Sequence, residues 1–167
     1  MGGYSVKGIT LIELIISIVV FALIMTPLLL VFATVSQDTA GGIYISRAHT
    51  LAQSYMELIL SRSFDENNKS PWTARNDLGL DSGETAGDLS TYDDVDDFDG
   101  YTITDSDYPA ITGTVSVYYV EDGDWDTPYT GASYTNYKRI DIVVTLPQGL
   151  GSIKVSNGVT GTGHDIK

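Results

Sequence analysis

The stretch "KGITLIELIISIVVFALIMTPLLLVF" (Lys7–Phe32) decides how this chain is read: it is almost wholly apolar, yet it holds one acid, Glu13, near its start. From Ile9 to Val35, Glu13 is the only charged side chain. As a helix at about 1.5 Å per residue the run reaches roughly 40 Å, enough to cross a hydrocarbon core of about 30 Å. A secretory signal has an apolar core of about 7–15 residues and a small-residue cleavage site, and the run has neither. It is therefore expected to persist as a transmembrane helix. Lys7 and the α-amino group precede it, and Asp38 is the first charge after it. Basic flanks stay in the cytoplasm, so the leader is expected inside and the chain from Ser36 onward outside.

Glu13 is the anomaly. An acid in a spanning helix costs about 2.5–3.5 kcal/mol at the bilayer centre on insertion scales, and less near the edge. A carboxylate kept there either snorkels to the headgroups or has a task. The residues around it favour a task. "KGITLIEL" (Lys7–Leu14) resembles the processing site of type IV prepilins and pseudopilins: a basic residue and Gly, an apolar first mature residue, then Thr-Leu-Ile-Glu. The resemblance implies that an inner-membrane prepilin peptidase cuts between Gly8 and Ile9 and methylates the new amine of Ile9. It also makes Glu13 the helix carboxylate of assembly and methylation. Ile9 departs from the commoner Phe. The chemistry fits, because Gly8 lets the backbone extend close to a peptidase. The freed ammonium of Ile9 can pair with a neighbouring subunit's Glu13 where low dielectric strengthens the attraction. A lone polar group of that kind fixes register in helical assemblies.

Beyond the apolar run, roughly 130 residues remain, enough for one domain with its own core. The net charge of −13 makes nucleic acid an unsuitable partner. There is no cysteine, so the domain folds without the disulfides that an extracytoplasmic location would allow. Many major type IV pilins close a C-terminal loop with a disulfide; by that comparison this chain resembles a minor pilin or pseudopilin. The expected segments are a leader (1–8), a transmembrane and filament-core helix (9–35), the outer half of the same helix (36–63) and a globular region (64–167). Pro27 is expected to kink or loosen the helix, and Gly41-Gly42 is a second weak point. Ala48, Leu51, Ala52, Tyr55, Leu58, Ile59 and Arg62 then form a stripe at three- and four-residue steps, suited to packing under a sheet. His49 lies off it and is expected in solvent.

From Phe64 to Gly100 the periodicity fails, and turn-rich acidic sequence predicts a long loop with short helical or strand pieces. Strands follow. "YTIT" (101–104) is short. "TGTVSVYYV" (112–120) puts Val115, Val117 and Tyr119 on one face, and "YKRIDIVVTLP" (137–147) does so for Ile140, Ile142, Val144 and Leu146. Pro147 ends that strand, and "LGSIKVSNGV" (150–159) is its partner across Pro147-Gln148-Gly149. The tail "TGTGHDIK" (160–167) is expected to be mobile. The predicted fold class is α+β: a long N-terminal helix packed on a small antiparallel sheet, as in type IV pilins. "RAHTLAQSYMELILSRSFDE" (47–66) with "TYDDVDDFDGY" (91–101) is also similar to the minor pilins of mannose-sensitive haemagglutinin pilus systems.

Between Asp77 and Asp126 lie fifteen Asp or Glu and no Lys or Arg. Such a density of like charge needs water, salt or a cation. An EF-hand fails, since position one would be Val95 and no Glu stands at the bidentate position. An irregular calcium site can draw on Asp93, Asp94, Asp96, Asp97 and Asp99, or on Asp122, Asp124 and Asp126 in "EDGDWD". The plainer alternative is a solvated acidic surface, so no cofactor is required. Catalytic readings have little material: His49 and His164 are far apart in sequence and cysteine is absent. A carboxylate pair beside Trp125 or Tyr92 would be needed to imitate a glycosidase cleft. The expected function is a minor subunit of a type IV pilus-like filament. Its partners are the prepilin peptidase, other pilin or pseudopilin subunits and the inner membrane. The alternatives are a type II secretion pseudopilin and, in another class, a membrane-anchored binding or adhesive domain.

Overall fold

The computed structural model describes residues 8–67 and 69–161, with the side chains of 36–40 excepted. Lys7 and the tail beyond Gly161 lie outside the described residues. One helix, α1 (Leu11–Leu60), carries the apolar run and the later stripe. It continues through both Pro27 and Gly41-Gly42. The chain nevertheless divides into two compact units between Gly42 and Ile43, directly after the Gly pair.

The first unit is oil on every side. Leu11–Val35 is long and apolar enough to cross a membrane, and its large side chains are exposed, Leu11 and Phe32 by more than 70% (78% and 72%). A helix apolar all round asks for lipid or for other apolar helices. Ser17, Thr26 and Thr34 return their hydroxyls to the carbonyls of Glu13, Ala22 and Leu30, which leaves few polar groups for an apolar solvent to reject.

The second unit is built on a five-stranded antiparallel sheet: β1 (Thr102–Thr104), β2 (Thr112–Glu121), β3 (Asp124–Pro128), β4 (Tyr137–Thr145) and β5 (Ser152–Thr160). The strand order is β1-β2-β4-β5, with β3 paired to the end of β2. The α+β class expected from sequence is thus the observed one. Alternation sets the inner face: Val115, Val117 and Tyr119 from β2 and Ile140, Ile142 and Val144 from β4 are buried. Ala48, Ala52, Met56 and Ile59 of α1 form one core with these valines and isoleucines. The two alanines allow close approach, while Leu51, Tyr55 and Leu58 are only partly buried at its margin. His49 is exposed, as the stripe implied. Gly113 stands where the sheet leaves little room: a Cβ there would meet Ile103 Cβ and Val144 Cγ2 at 3.2 Å.

β3 was not foreseen as a strand, although the Asp-Gly pair at 122–123 marks its turn. Glu121 pairs with Asp124, and Gly123 takes a left-handed φ of 85° to close the hairpin. The long segment between α1 and β1 holds two 3-10 turns, Arg75–Asp77 and Asp96–Phe98, and one bridge from Ser63 to Asp94. Aromatic edge contacts hold it down, with Tyr92 against Phe98 at 5.0 Å and Phe64 against Trp72 at 5.0 Å.

Candidate functional site

Gly8, Ile9 and Thr10 precede the helix without regular structure and are exposed, Ile9 by 74%. The Gly8–Ile9 peptide therefore lies in accessible, irregular backbone immediately before the apolar helix. Thr10 caps that helix: its Oγ1 accepts from the Glu13 N–H at 3.4 Å, and its carbonyl accepts from Leu14 N–H at 3.1 Å. Thr10-Leu11-Ile12-Glu13 is thus a capping-box sequence, with Glu13 at the third helical position, where its charge also suits the helix dipole. The Thr-x-x-Glu spacing was visible in the sequence and its capping role was missed there. Among the described residues no cation reaches the Glu13 carboxylate. Capping therefore leaves its charge available to a group from elsewhere.

The acidic residues sort into three environments. Asp94, Asp96 and Asp97 are buried, which corrects the expectation of a solvated surface. Asp96 meets a cation from a distant strand, while Asp94 and Asp97 accept from backbone N–H groups. Lys138 of β4 is fully buried; its Nζ contacts Asp96 Oδ1, donates to the Phe64 carbonyl at 2.7 Å and lies 3.4 Å from Asp65 Oδ2. The Phe64 and Tyr119 rings flank that ammonium at 4.6 and 5.4 Å. Neither Asp65 nor Lys138 was singled out from sequence. The available signal was Lys138 itself, a charge at the inward position of β4 in phase with Ile140 and Ile142.

Three buried carboxylates face this one ammonium, so the cluster retains protons. Asp94 accepts from the N–H groups of Glu66, Asp96 and Asp97, which favours its anion. Burial and the adjacent Asp96 charge outweigh them and push Asp94 up to about 9. Burial also raises Asp96, against the pull of Lys138. Asp97 is pushed up to about 7 by burial, helped by its hydrogen bond with Glu84 and opposed by the N–H groups of Asp93 and Asp94 on its Oδ2.

The remaining candidates serve the fold. Asp99 is exposed and accepts from Val117 N–H at 2.8 Å. Asp122, Asp124 and Asp126 are exposed on the β2–β3 hairpin: Asp124 accepts from the N–H groups of Asp126 and Thr127, and Asp126 pairs with Arg139. Among the described residues the acidic groups close enough to share a metal ion are Asp65, Asp94 and Asp96, already joined to Lys138, and Glu84, Asp93 and Asp97. The hairpin acids join neither. On the outer face of the sheet Asp141 is a further partnered acid. Burial works to raise it, but hydrogen bonds from Ser156, Lys154, Tyr118 and Arg139 hold it well below the carboxylate range.

No curated protein and no solved structure gives a significant match to the chain. Residues 4–29 match the family model described as the prokaryotic N-terminal methylation motif. That interval contains Lys7, Gly8, Ile9 and Glu13, and with the apolar Leu11–Val35 helix it is compatible with a single-pass anchor. The N-terminus therefore carries a type IV pilin and prepilin-type signal, which implies processing by a prepilin peptidase and assembly with other pilins.

Proposed function

We propose that this chain is a minor subunit of a type IV pilus-like filament, of the kind found in mannose-sensitive haemagglutinin pilus systems. It enters the inner membrane with Met1–Lys7 in the cytoplasm and the sheet domain in the periplasm. The prepilin peptidase cuts between Gly8 and Ile9 and methylates Ile9, and the mature helix then moves from lipid into a bundle of equally apolar helices. The observation that carries this reading is the conjunction at the N-terminus. An exposed Gly8–Ile9 bond stands directly before a helix apolar on every side, whose one charge, Glu13, lacks a cation among the described residues.

The test is the N-terminal residue and mass of the protein recovered from cells that hold a complete filament locus. A chain beginning at methylated Ile9 is the expected result. An intact Met1 would overturn the filament reading and leave an anchored binding domain. A type II secretion pseudopilin shares the whole processing argument; recovery of the subunit from a surface pilus, rather than its requirement for protein secretion, separates the two.

The proposed role requires no bound cofactor. Lys138 already supplies the cation for Asp65 and Asp96, and Asp97 Oδ2 is occupied by two N–H donors. The melting temperature is therefore expected to be the same in millimolar calcium and in chelator. A rise of several degrees in calcium, lost in Asp93→Ala and Glu84→Ala, would reassign the Glu84–Asp93–Asp97 group as a calcium site.

A further inference from the structure

Lys138 and Asp96 meet in a setting unlike that of an ordinary ion pair. Their side chains are 0% and 2% exposed, and Nζ touches Asp96 Oδ1 directly. The Phe64 carbonyl holds Nζ at 2.7 Å, and the Phe64 and Tyr119 rings flank it. Two more carboxyl groups complete the cluster: Asp65, with Oδ2 3.4 Å from Nζ, and Asp94, which hydrogen-bonds Asp96. Oxygens of Asp65, Asp94 and Asp96 lie within 4.8 Å of one another.

We propose that Lys138 Nζ and Asp96 Cγ are joined by an intramolecular amide bond that forms once the domain has folded. An amine, a carboxyl electrophile, a proton acceptor and a proton donor converge in a pocket walled by aromatic rings. Low dielectric disfavours separated charges, so proton transfer from the ammonium to Asp96 gives the neutral amine and neutral acid that the reaction needs. The Nζ lone pair then attacks Asp96 Cγ, forming the C–N bond and displacing the carbonyl π pair onto oxygen. Asp65 takes the proton that nitrogen sheds. Asp94, kept protonated by its burial, gives its proton to the departing hydroxyl; the C–O bond breaks and water leaves. One proton has moved from Asp94 to Asp65, and the sum is amine plus acid to amide plus water, with no oxidant or external co-reactant. Holding the groups in contact is worth an effective concentration of about 10⁵–10⁸ M, which replaces chemical activation.

The bond would tie the Asp96–Phe98 turn to β4 across 42 positions and close a loop that contains β1, β2 and β3. A domain without cysteine gains in this way the covalent closure that disulfides give other extracytoplasmic domains. The inference is independent of the filament reading.

Mass spectrometry of the wild-type protein decides it. The denatured chain is expected to be lighter by one water, about 18 Da, than the mass calculated for the same chain with its own N-terminus. Since Asp99-Gly100 and Asp122-Gly123 can also lose water, the deciding observation is a branched tryptic peptide joining Lys138 to Asp96, with no cleavage after Lys138. Asp96→Asn should give the same branch with loss of ammonia instead, about 17 Da, and Lys138→Ala should give none. Wild-type protein with native circular dichroism that yields free Asp96 and normal tryptic cleavage after Lys138 would overturn the proposal.

Discussion

Lys138→Met is expected to destabilise the sheet domain by about 3–5 kcal/mol, because it removes both the amide proposed above and the amine that accompanies these acids, leaving buried carboxylates without that partner. For a domain of this size that is a fall in melting temperature of roughly 10–25 °C. Met matches the length of the lysine stem, so lost packing contributes little and the missing charge dominates. Asp65 then keeps the N–H donors of Asn67 and Thr73, and Asp96 its hydrogen bond with Asp94, in a pocket closed by Phe64 and Tyr119. The deficit should shrink as pH falls, since protonation removes the stranded charges. The wild type has a related dependence. Asp94 and Asp97 have folded-state values raised to about 9 and about 7, so their contribution is complete below the unfolded carboxyl range and is lost as pH rises through 7 and 9. Each such group changes stability by at most about 1.4 kcal/mol per pH unit. Thermal melts of both proteins from pH 5 to 9 check the argument: a constant gap between them would mean that charge is not its source. Lys138→Met with Asp96→Leu should recover part of the loss, because it removes one carboxylate along with the cation.

Glu13→Ala is expected to abolish incorporation into filaments while leaving the subunit in the membrane and the sheet domain folded. The side chain lies in the first unit, and none of the described ion pairs of the sheet domain involves it. Insertion should improve if it changes at all, since the substitution removes a charge from the spanning helix. The capping role requires a control. Glu13→Gln keeps a side chain able to complete the box with Thr10 but loses the charge, and capping alone is worth about 1 kcal/mol. If pairing with another subunit's amine is the task, Gln should fail in assembly nearly as badly as Ala. Comparison of sheared filament and membrane fractions gives the answer. Normal assembly of the Gln variant would reduce Glu13 to a helix cap.

Glu13 and the buried aspartates of the sheet domain owe their apolar settings to different causes. Glu13 was legible because its surroundings are local: a long, mostly apolar run without other charges, a Gly-Ile pair before it and Thr10 three positions back are all properties of contiguous sequence. The strands were legible for the same reason, since the alternation of Val115, Val117 and Tyr119, or of Ile140, Ile142 and Val144, survives whatever the strands pack against. Period alone gave the stripe from Ala48 to Arg62, although Met56 within it was overlooked.

The acids of "YDDVDDFDG" could not be read in this way. Charge density along the chain predicts repulsion and therefore solvent, and that expectation failed for Asp94, Asp96 and Asp97. Their compensating cation stands in β4, more than forty positions away, and a carboxylate's cost of burial depends on what faces it in space. Only tertiary structure could bring Lys138 beneath the Asp96–Phe98 turn, set Asp65 beside it and send the hairpin acids Asp122, Asp124 and Asp126 elsewhere. Sequence by itself determined the elements whose cause is periodicity: the apolar helix with its processing signal, and the sheet with its inward face. The fold decided which charges are buried together, because the electrostatic energy of a group is set by neighbours that chain order does not name.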